Sequence, residues 1–325
     1  MTTALVLGKF MPPHMGHEYL VNFVKNYYGV DVVKVLVCSL KTEPISGHLR
    51  YDWCKNLFPH CDVIHCDWEL PQQPEEDPNF WSIWTNAIDW FVGSVDIVFA
   101  SEEYGEPLSQ AIGARFVPVD IERQTIPISA TQIRENPHIY WDFIPKFVRP
   151  YYVKKIALVG PESVGKSTMV QAIANELQTI SVPEYGRAFA NRVKNNFKFE
   201  HLAEIGRCQI ASEEAMMLNA NRILVSDTDL NTTATWSEAL FGKVDPWLAQ
   251  IAKEQKFDLH ILFAPTVPWV QDGTRIMGDR REWFFNRMKS YLDIQKRKYV
   301  IIDSSNFEQR RIDVNREVFK LLKVK

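Results

Sequence analysis

The segment Gly160-Pro161-Glu162-Ser163-Val164-Gly165-Lys166-Ser167 constrains the fold of this chain more than any other. It matches G-x-x-x-x-G-K-[ST] and stands between an apolar run, Lys155–Val159, and a helical pattern, the strand–loop–helix context that a phosphate-binding loop requires. Glycines let the chain turn tightly, so that backbone N–H groups and the next helix's N-terminus converge on phosphate oxygens. Lys166 then reaches the β- and γ-phosphates, and Ser167 offers a hydroxyl to Mg²⁺. Gly160, Gly165, Ser167 and the following Thr168 are read as ATP-binding residues, with Lys166 catalytic.

A loop of this kind needs a parallel sheet, and the rest of the chain supplies one. Downstream, Thr179–Val182, Arg222–Ser226, Leu259–Phe263 and Tyr299–Ile302 read as strands separated by helices. Upstream, Ala4–Leu7, Val32–Val37, Val63–His65 and Asp96–Ala100 read as strands. Helical patterns run from Glu18 and over Arg50–Phe58 and Phe80–Phe91. Pro150, inside Phe147–Val153, stops the first series before the second begins, so two α/β domains, 1–150 and 151–325, are expected. No tandem repeat or low-complexity segment interrupts them.

Composition narrows the function classes. The 325 residues are 46% hydrophobic and 24% charged, with net charge −3. Residues 1–150 carry 11 basic and 19 acidic side chains and residues 151–325 carry 26 and 21. Neither half has the electrostatic footprint of a nucleic-acid binder. Five cysteines without a C-x-x-C pair argue against a disulfide framework or zinc ribbon and fit a reducing cytoplasm. His60-Cys61 and His65-Cys66 are read as packing, and no metal is assigned to them. There is no signal-peptide pattern and no run of about 18 apolar residues, so a cytoplasmic protein without a membrane partner is expected. Ten tryptophans are a surplus to be explained.

Acidic residues at the strand ends of the second half suggest what happens to the γ-phosphate. Glu184, in Pro183-Glu184-Tyr185-Gly186-Arg187, is placed to take a proton from a substrate hydroxyl. Asp227 and Asp229 follow the next strand, where a P-loop protein holds Mg²⁺. Whether Glu184 or Asp227 is the base stays open. Trp269–Arg275 and Asp279-Arg280-Arg281 read as a lid whose arginines, Arg275 and Arg280, meet the phosphates. A small-molecule kinase is favoured over a GTPase, since no Asn-Lys-x-Asp is present.

In the first half, Gly8-Lys9-Phe10-Met11-Pro12-Pro13-His14-Met15-Gly16-His17 sets two imidazoles and a lysine at a strand-to-helix turn. Such groups suit charge building on an α-phosphate during adenylyl transfer. Ile128-Ser129-Ala130-Thr131-Gln132-Ile133-Arg134 adds two hydroxyls and an arginine at a helix start, a second phosphate-binding element.

Through H-x-G-H and I-S-x-T-x-x-R the first half resembles the nicotinamide mononucleotide adenylyltransferases, and the second resembles the P-loop ribosylnicotinamide kinases. In this order, over essentially the whole chain, they resemble the bifunctional NadR family. The resemblance implies a Rossmann-like nucleotidyltransferase fold, then a P-loop kinase fold. It implies nicotinamide riboside, nicotinamide mononucleotide and ATP as substrates, Mg²⁺ as cofactor and NAD as product. It assigns His14, His17 and Arg134 to catalysis and Gly8, Lys9, Phe10, Gly16, Ser129 and Thr131 to ATP. Lys9 replaces an arginine common in relatives, and Ala130 a serine. Trp84, in Asn79-Phe80-Trp81-Ser82-Ile83-Trp84, is assigned to stacking on the pyridinium ring. Tyr185 and Arg187, with Asp229, go to the riboside. Regulatory members carry an N-terminal helix-turn-helix domain; here the catalytic strand begins at Ala4, and no repressor role is expected. Oligomeric state is left open. The rivals are a nucleotide sensor without turnover and a related transferase acting on another small substrate.

Overall fold

The computed structural model describes residues 1–271 and 275–323. The chain divides into two compact units, Met1–Arg149 and Pro150–Lys325.

In the first unit, β1 (Thr3–Gly8), α1 (Met15–Lys25), β2 (Val32–Cys38), α2 (Gly47–Leu57), β3 (Asp62–Cys66), α3 (Phe80–Phe91), β4 (Ile97–Ala100), α4 (Gly105–Ile112), β5 (Arg115–Pro118) and α5 (Ala130–Glu135) follow one another. All strand pairs are parallel, in the order β3-β2-β1-β4-β5, with β1 and β2 in register from Thr3↔Val32 to Gly8↔Val37. Side chains alternate along β1. Ala4 and Val6 enter one apolar cluster with Leu20, Val24 and Phe99, whereas Leu5 and Leu7 enter another with Phe80, Trp84 and Ile88. Both faces of the sheet are covered, as a parallel sheet requires. The edge strand β5 was not expected from the sequence: its burial is too partial to give an apolar run. Helix α1 begins at Met15, three residues before its predicted start, because His14 caps it.

The second unit repeats the scheme with β6 (Lys154–Val159), α6 (Lys166–Glu176), β7 (Ser181–Val182), α7 (Tyr185–Val193), α8 (Phe199–Met216), β8 (Ile223–Asp227), α9 (Leu230–Phe241), α10 (Pro246–Glu254), β9 (Leu259–Phe263), α11 (Arg281–Ile294), β10 (Tyr299–Ile302) and α12 (Phe307–Leu322). Its parallel sheet has the order β10-β9-β6-β8-β7. Ile156 and Leu158 face the α6/α12 side, and Ala157 and Val159 face Phe284, Met288 and Leu292 of α11.

In both units the first strand lies inside the sheet, with later strands added on either side. The carboxyl end of such a strand is the switch point at which open α/β sheets bind ligands. The two motifs Gly8–His17 and Gly160–Ser167 begin there.

Candidate functional site

At the end of β1, His14 is in extended backbone conformation and caps α1, its Nδ1 accepting the Gly16 N–H at 3.1 Å. His17 Nδ1 accepts the His14 N–H at 3.2 Å, and the two rings lie 3.8 Å apart. Burial and the nearby Arg123 guanidinium push the His14 imidazole down to about 4, and burial with the His14 neighbour holds His17 well below its ordinary value. Both rings are therefore neutral at pH 7. They line a cavity with Gly16, Ser101, Glu102, Asp120, Arg123 and Ala130, among others.

The second motif is drawn to the first by Arg134, which donates to the Met11 carbonyl and, at 2.9 Å, to Thr131 Oγ1. Ser129 caps α5 in a reciprocal pairing with Gln132. Several expectations need correction. Phe10 is 1% exposed and packs against His17 at 4.7 Å, so it supports the imidazole and has no surface for ATP. Lys9 pairs with Glu43 at 3.0 Å, and Glu43 in turn holds Arg50 at 2.6 Å. Trp84 is 9% exposed and lies in the core, its indole N–H donating to the Pro71 carbonyl at 2.9 Å, and it does not line the cavity beside the histidines. Arg123 was missed, because it belongs to neither motif.

In the second unit the phosphate-binding loop has the expected geometry. Gly160 has φ 141°, and a Cβ there would meet the Phe263 carbonyl at 2.7 Å; Gly165 has φ 82°. Only glycine fits such positions without strain. Lys166 Nζ donates to the Gly160 and Pro161 carbonyls at 2.9 and 2.8 Å. Ser167 is half-buried and Thr168 exposed on the first turn of α6.

A cavity opens beside the loop, lined by Glu162, Lys166, Glu184, Arg187, Gln209, Thr228, Thr232, Thr233, Trp236 and Arg275 among others. Burial, reinforced by the Asp227 charge, pushes the Glu184 carboxyl up to about 7. Burial lowers the Lys166 ammonium, against the pull of Glu184 and Asp227. Asp227 ends β8, 3% exposed, and its Oδ1 is buried without a hydrogen-bond partner.

Other predicted residues do not line this cavity. Asp229 caps α9, its Oδ1 accepting the Thr232 N–H at 2.8 Å and its Oδ2 lying 3.3 Å from His260 Nε2. Both oxygens are engaged, so the riboside role is corrected to that of a helix cap. Tyr185 packs against the buried cluster of Leu202, Ile205 and Leu248 and does not itself line the cavity, while its N–H donates to Gln209 Oε1 at 2.9 Å. Arg280 donates to the Ala239 carbonyl at 3.1 Å and lies over Trp283. Of the lid, Asp272, Gly273 and Thr274 lie outside the described residues. At its described edges, the Val270 N–H donates to Ser163 Oγ at 2.8 Å and the Met277 N–H to Glu162 at 3.0 Å. Trp236 and Arg310, which donates to the Val164 carbonyl of the loop at 2.5 Å, escaped sequence reading because each is a single residue on a distant helix.

A family model described as an AAA domain matches residues 155–310. The chain is 31% identical over 343 aligned residues, 95% of its length and 80% of the relative's, to the trifunctional NAD biosynthesis/regulator protein NadR of Escherichia coli strain K12. It is 30% identical to the protein of the same name from Salmonella typhimurium strain LT2, over 94% of its own length and 80% of the relative's. A crystal structure of NadR protein in complex with NR covers 100% of the chain and 97% of its own, at TM-score 0.80 and 21% identity. One in complex with NAD and AMP-PNP has the same coverage, at TM-score 0.78 and 20% identity. These structural likenesses establish the fold: two α/β units with parallel sheets. Among the described residues no helix is long and apolar enough to cross a membrane.

Proposed function

The chain belongs to the NadR family, and from that premise we propose that it makes NAD⁺ in two steps, the unit from Pro150 phosphorylating nicotinamide riboside and the unit to Arg149 adenylylating the mononucleotide. The observation that carries this reading is the presence, in one chain, of two phosphate-binding turns, each at the end of the first strand of its own sheet.

For the kinase step, Lys166 and the loop amides bind the ATP phosphates. Glu184, lining the cavity beside Lys166 and raised to about 7, is the base that takes the proton from the riboside 5′-hydroxyl. Arg187 and Arg275, also in the lining, meet anionic groups, and Trp236 gives a flat wall for a planar ring. The donors fit magnesium: the Ser167 hydroxyl and the Asp227 carboxylate, whose Oδ1 is otherwise unpartnered, are the hard oxygens this ion takes alongside substrate phosphates. Magnesium there supplies charge neutralisation at the transferred phosphoryl group. For the adenylyl step, both imidazoles donate from Nε2 to the phosphates, held in that tautomer by the Gly16 and His14 N–H groups that their Nδ1 atoms accept. Positioning and electrostatics suffice for both steps, with no covalent enzyme intermediate.

Incubating the chain with nicotinamide riboside and MgATP yields nicotinamide mononucleotide and then NAD⁺, read by mass spectrometry. A Lys166→Ala variant stops at the riboside yet still converts supplied mononucleotide. Loss of both steps in a folded variant overturns the two-site assignment, and ATP binding without product favours the sensor.

A further inference from the structure

The cavity at the end of β1 has donors in plenty but little positive charge. Each imidazole accepts a backbone N–H at Nδ1, and an accepting nitrogen carries no proton, so each neutral ring keeps its hydrogen on Nε2. Two other predicted cations do not line the cavity: Lys9 pairs with Glu43 at 3.0 Å, and Arg134 donates to the Met11 carbonyl and Thr131. Arg123 is the only arginine or lysine among the described residues lining the cavity.

Its backbone is held in place by a turn. Arg123 has φ 51°, its N–H donates to the Asp120 carbonyl at 2.8 Å, and the Asp120 carboxylate accepts the Thr125 and Ile126 N–H groups at 3.0 and 3.1 Å. The guanidinium donates at 3.1 Å to Glu102, which lines the same cavity, and the two side chains are 41% and 58% exposed. An ion pair so open to water is weak. A polyphosphate carries more charge than a carboxylate and accepts both arms of the guanidinium fork.

We propose that Arg123 binds the pyrophosphate half of the ATP triphosphate, exchanging Glu102 for it, so that Glu102 acts as an internal competing anion at the cavity. The proposal rests on the reading of this unit as an adenylyltransferase. In that reaction a phosphate oxygen of the mononucleotide forms a bond to the α-phosphorus. The bond from that phosphorus to the α,β-bridging oxygen breaks, and pyrophosphate leaves with the electron pair. Arg123 then faces the group on which charge accumulates, while the neutral imidazoles donate to the oxygens of the α-phosphate under attack.

The test is calorimetric titration of the full chain with inorganic pyrophosphate, in a Lys166→Ala background that removes the other phosphate site. Arg123→Ala weakens binding at least tenfold, Arg123→Lys recovers part of the loss, and Glu102→Gln tightens binding severalfold. During turnover, Arg123→Ala raises the KM for ATP and the inhibition constant of pyrophosphate together, leaving the KM for mononucleotide unchanged. Pyrophosphate binding within twofold of the parent in Arg123→Ala overturns the proposal, as does weaker binding in Glu102→Gln. A wild-type chain that makes no NAD⁺ from mononucleotide overturns the adenylyltransferase reading instead, and pyrophosphate binding still decides Arg123.

Discussion

Gly16 has no side chain because the His14 ring leaves no room for one: a Cβ there would lie 2.9 Å from Cε1 and 3.0 Å from Nδ1. Its backbone is in an ordinary region, so Gly16→Ala tests the ring's position with little other strain. That variant is expected to lose at least about tenfold in NAD⁺ formation from mononucleotide while riboside phosphorylation persists, with unfolding free energy changed by about 1 kcal/mol. The same imidazole ties stability to pH. His14 is lowered from 6.5 to about 4, so between these values the unfolded chain takes up a proton that the folded chain refuses. Stability is thus intact above pH 6.5 and falls as pH drops toward 4, by about 3 kcal/mol for this residue. Thermal melts across that range show the loss, and His14→Asn reduces it, leaving the part that His17 contributes. Glu184 carries the opposite shift, but its effect on catalysis has the same direction in pH. Raised to about 7, it is the active carboxylate only above that pH, so kcat/KM for riboside rises through pH 7. Glu184→Gln lowers the rate by about 10²–10⁴ and removes the rise. A rate within about tenfold of the parent in that variant would transfer the base role to Asp227.

Among the elements, the starts of α7 and α9 are tied together by one buried carboxylate on α8. Glu213, 1% exposed, pairs with Lys155 at 2.8 Å and accepts from Ser226 Oγ at 3.0 Å. Gln209 Nε2 donates to that same hydroxyl at 3.3 Å, and Gln209 Oε1 accepts the Tyr185 N–H. Gln255, 3.4 Å from Glu213, accepts the Leu230 N–H at 2.9 Å. These two helix starts carry Glu184 and Arg187, and Thr232 and Thr233, all in the cavity lining. Removing one partner of a buried pair strands the other charge, so Glu213→Ala costs about 3–5 kcal/mol. Denaturant unfolding measures that cost; KM for riboside rises, and the adenylyl step is untouched. None of this network is legible in sequence, where Glu213, Ser226 and Gln255 lie in three separate elements and carry no motif. What is legible is chemistry that needs contiguous residues. The loop Gly160–Ser167 and the run Gly8–His17 each place their donors within a single turn, and the strands flanking them are continuous apolar runs. Trp84 and Asp229 show the limit of that reading. Their neighbours in sequence suggest ligands, but in space Trp84 is a core residue, 9% exposed, and the two Asp229 oxygens are already engaged by Thr232 and His260. Arg123 shows the converse, a cation that only the folded turn brings beside the histidines.

The whole molecule is two sheets in one chain, each with apolar clusters on both faces and its own switch-point turn. A substitution at one turn changes no side chain in the core that supports the other, so its effects on the two steps should be independent. The unequal charge, 11 basic against 19 acidic residues to position 150 and 26 against 21 beyond, does not alter this, since every group assigned to a step lies in the unit that performs it. Independence has a sharp consequence for mixtures. Lys166→Ala alone leaves riboside unused, and His17→Ala alone accumulates mononucleotide. Mixed in equal amounts with riboside and MgATP, the two are expected to make NAD⁺ after a lag that shortens as protein concentration rises, because mononucleotide released by one chain must find the other. Mass spectrometry follows both products with time. Failure of the mixture, where each variant keeps its remaining step and the wild type makes NAD⁺, would mean that the intermediate passes between sites without entering solution, and the two units would then have to be treated as one catalyst.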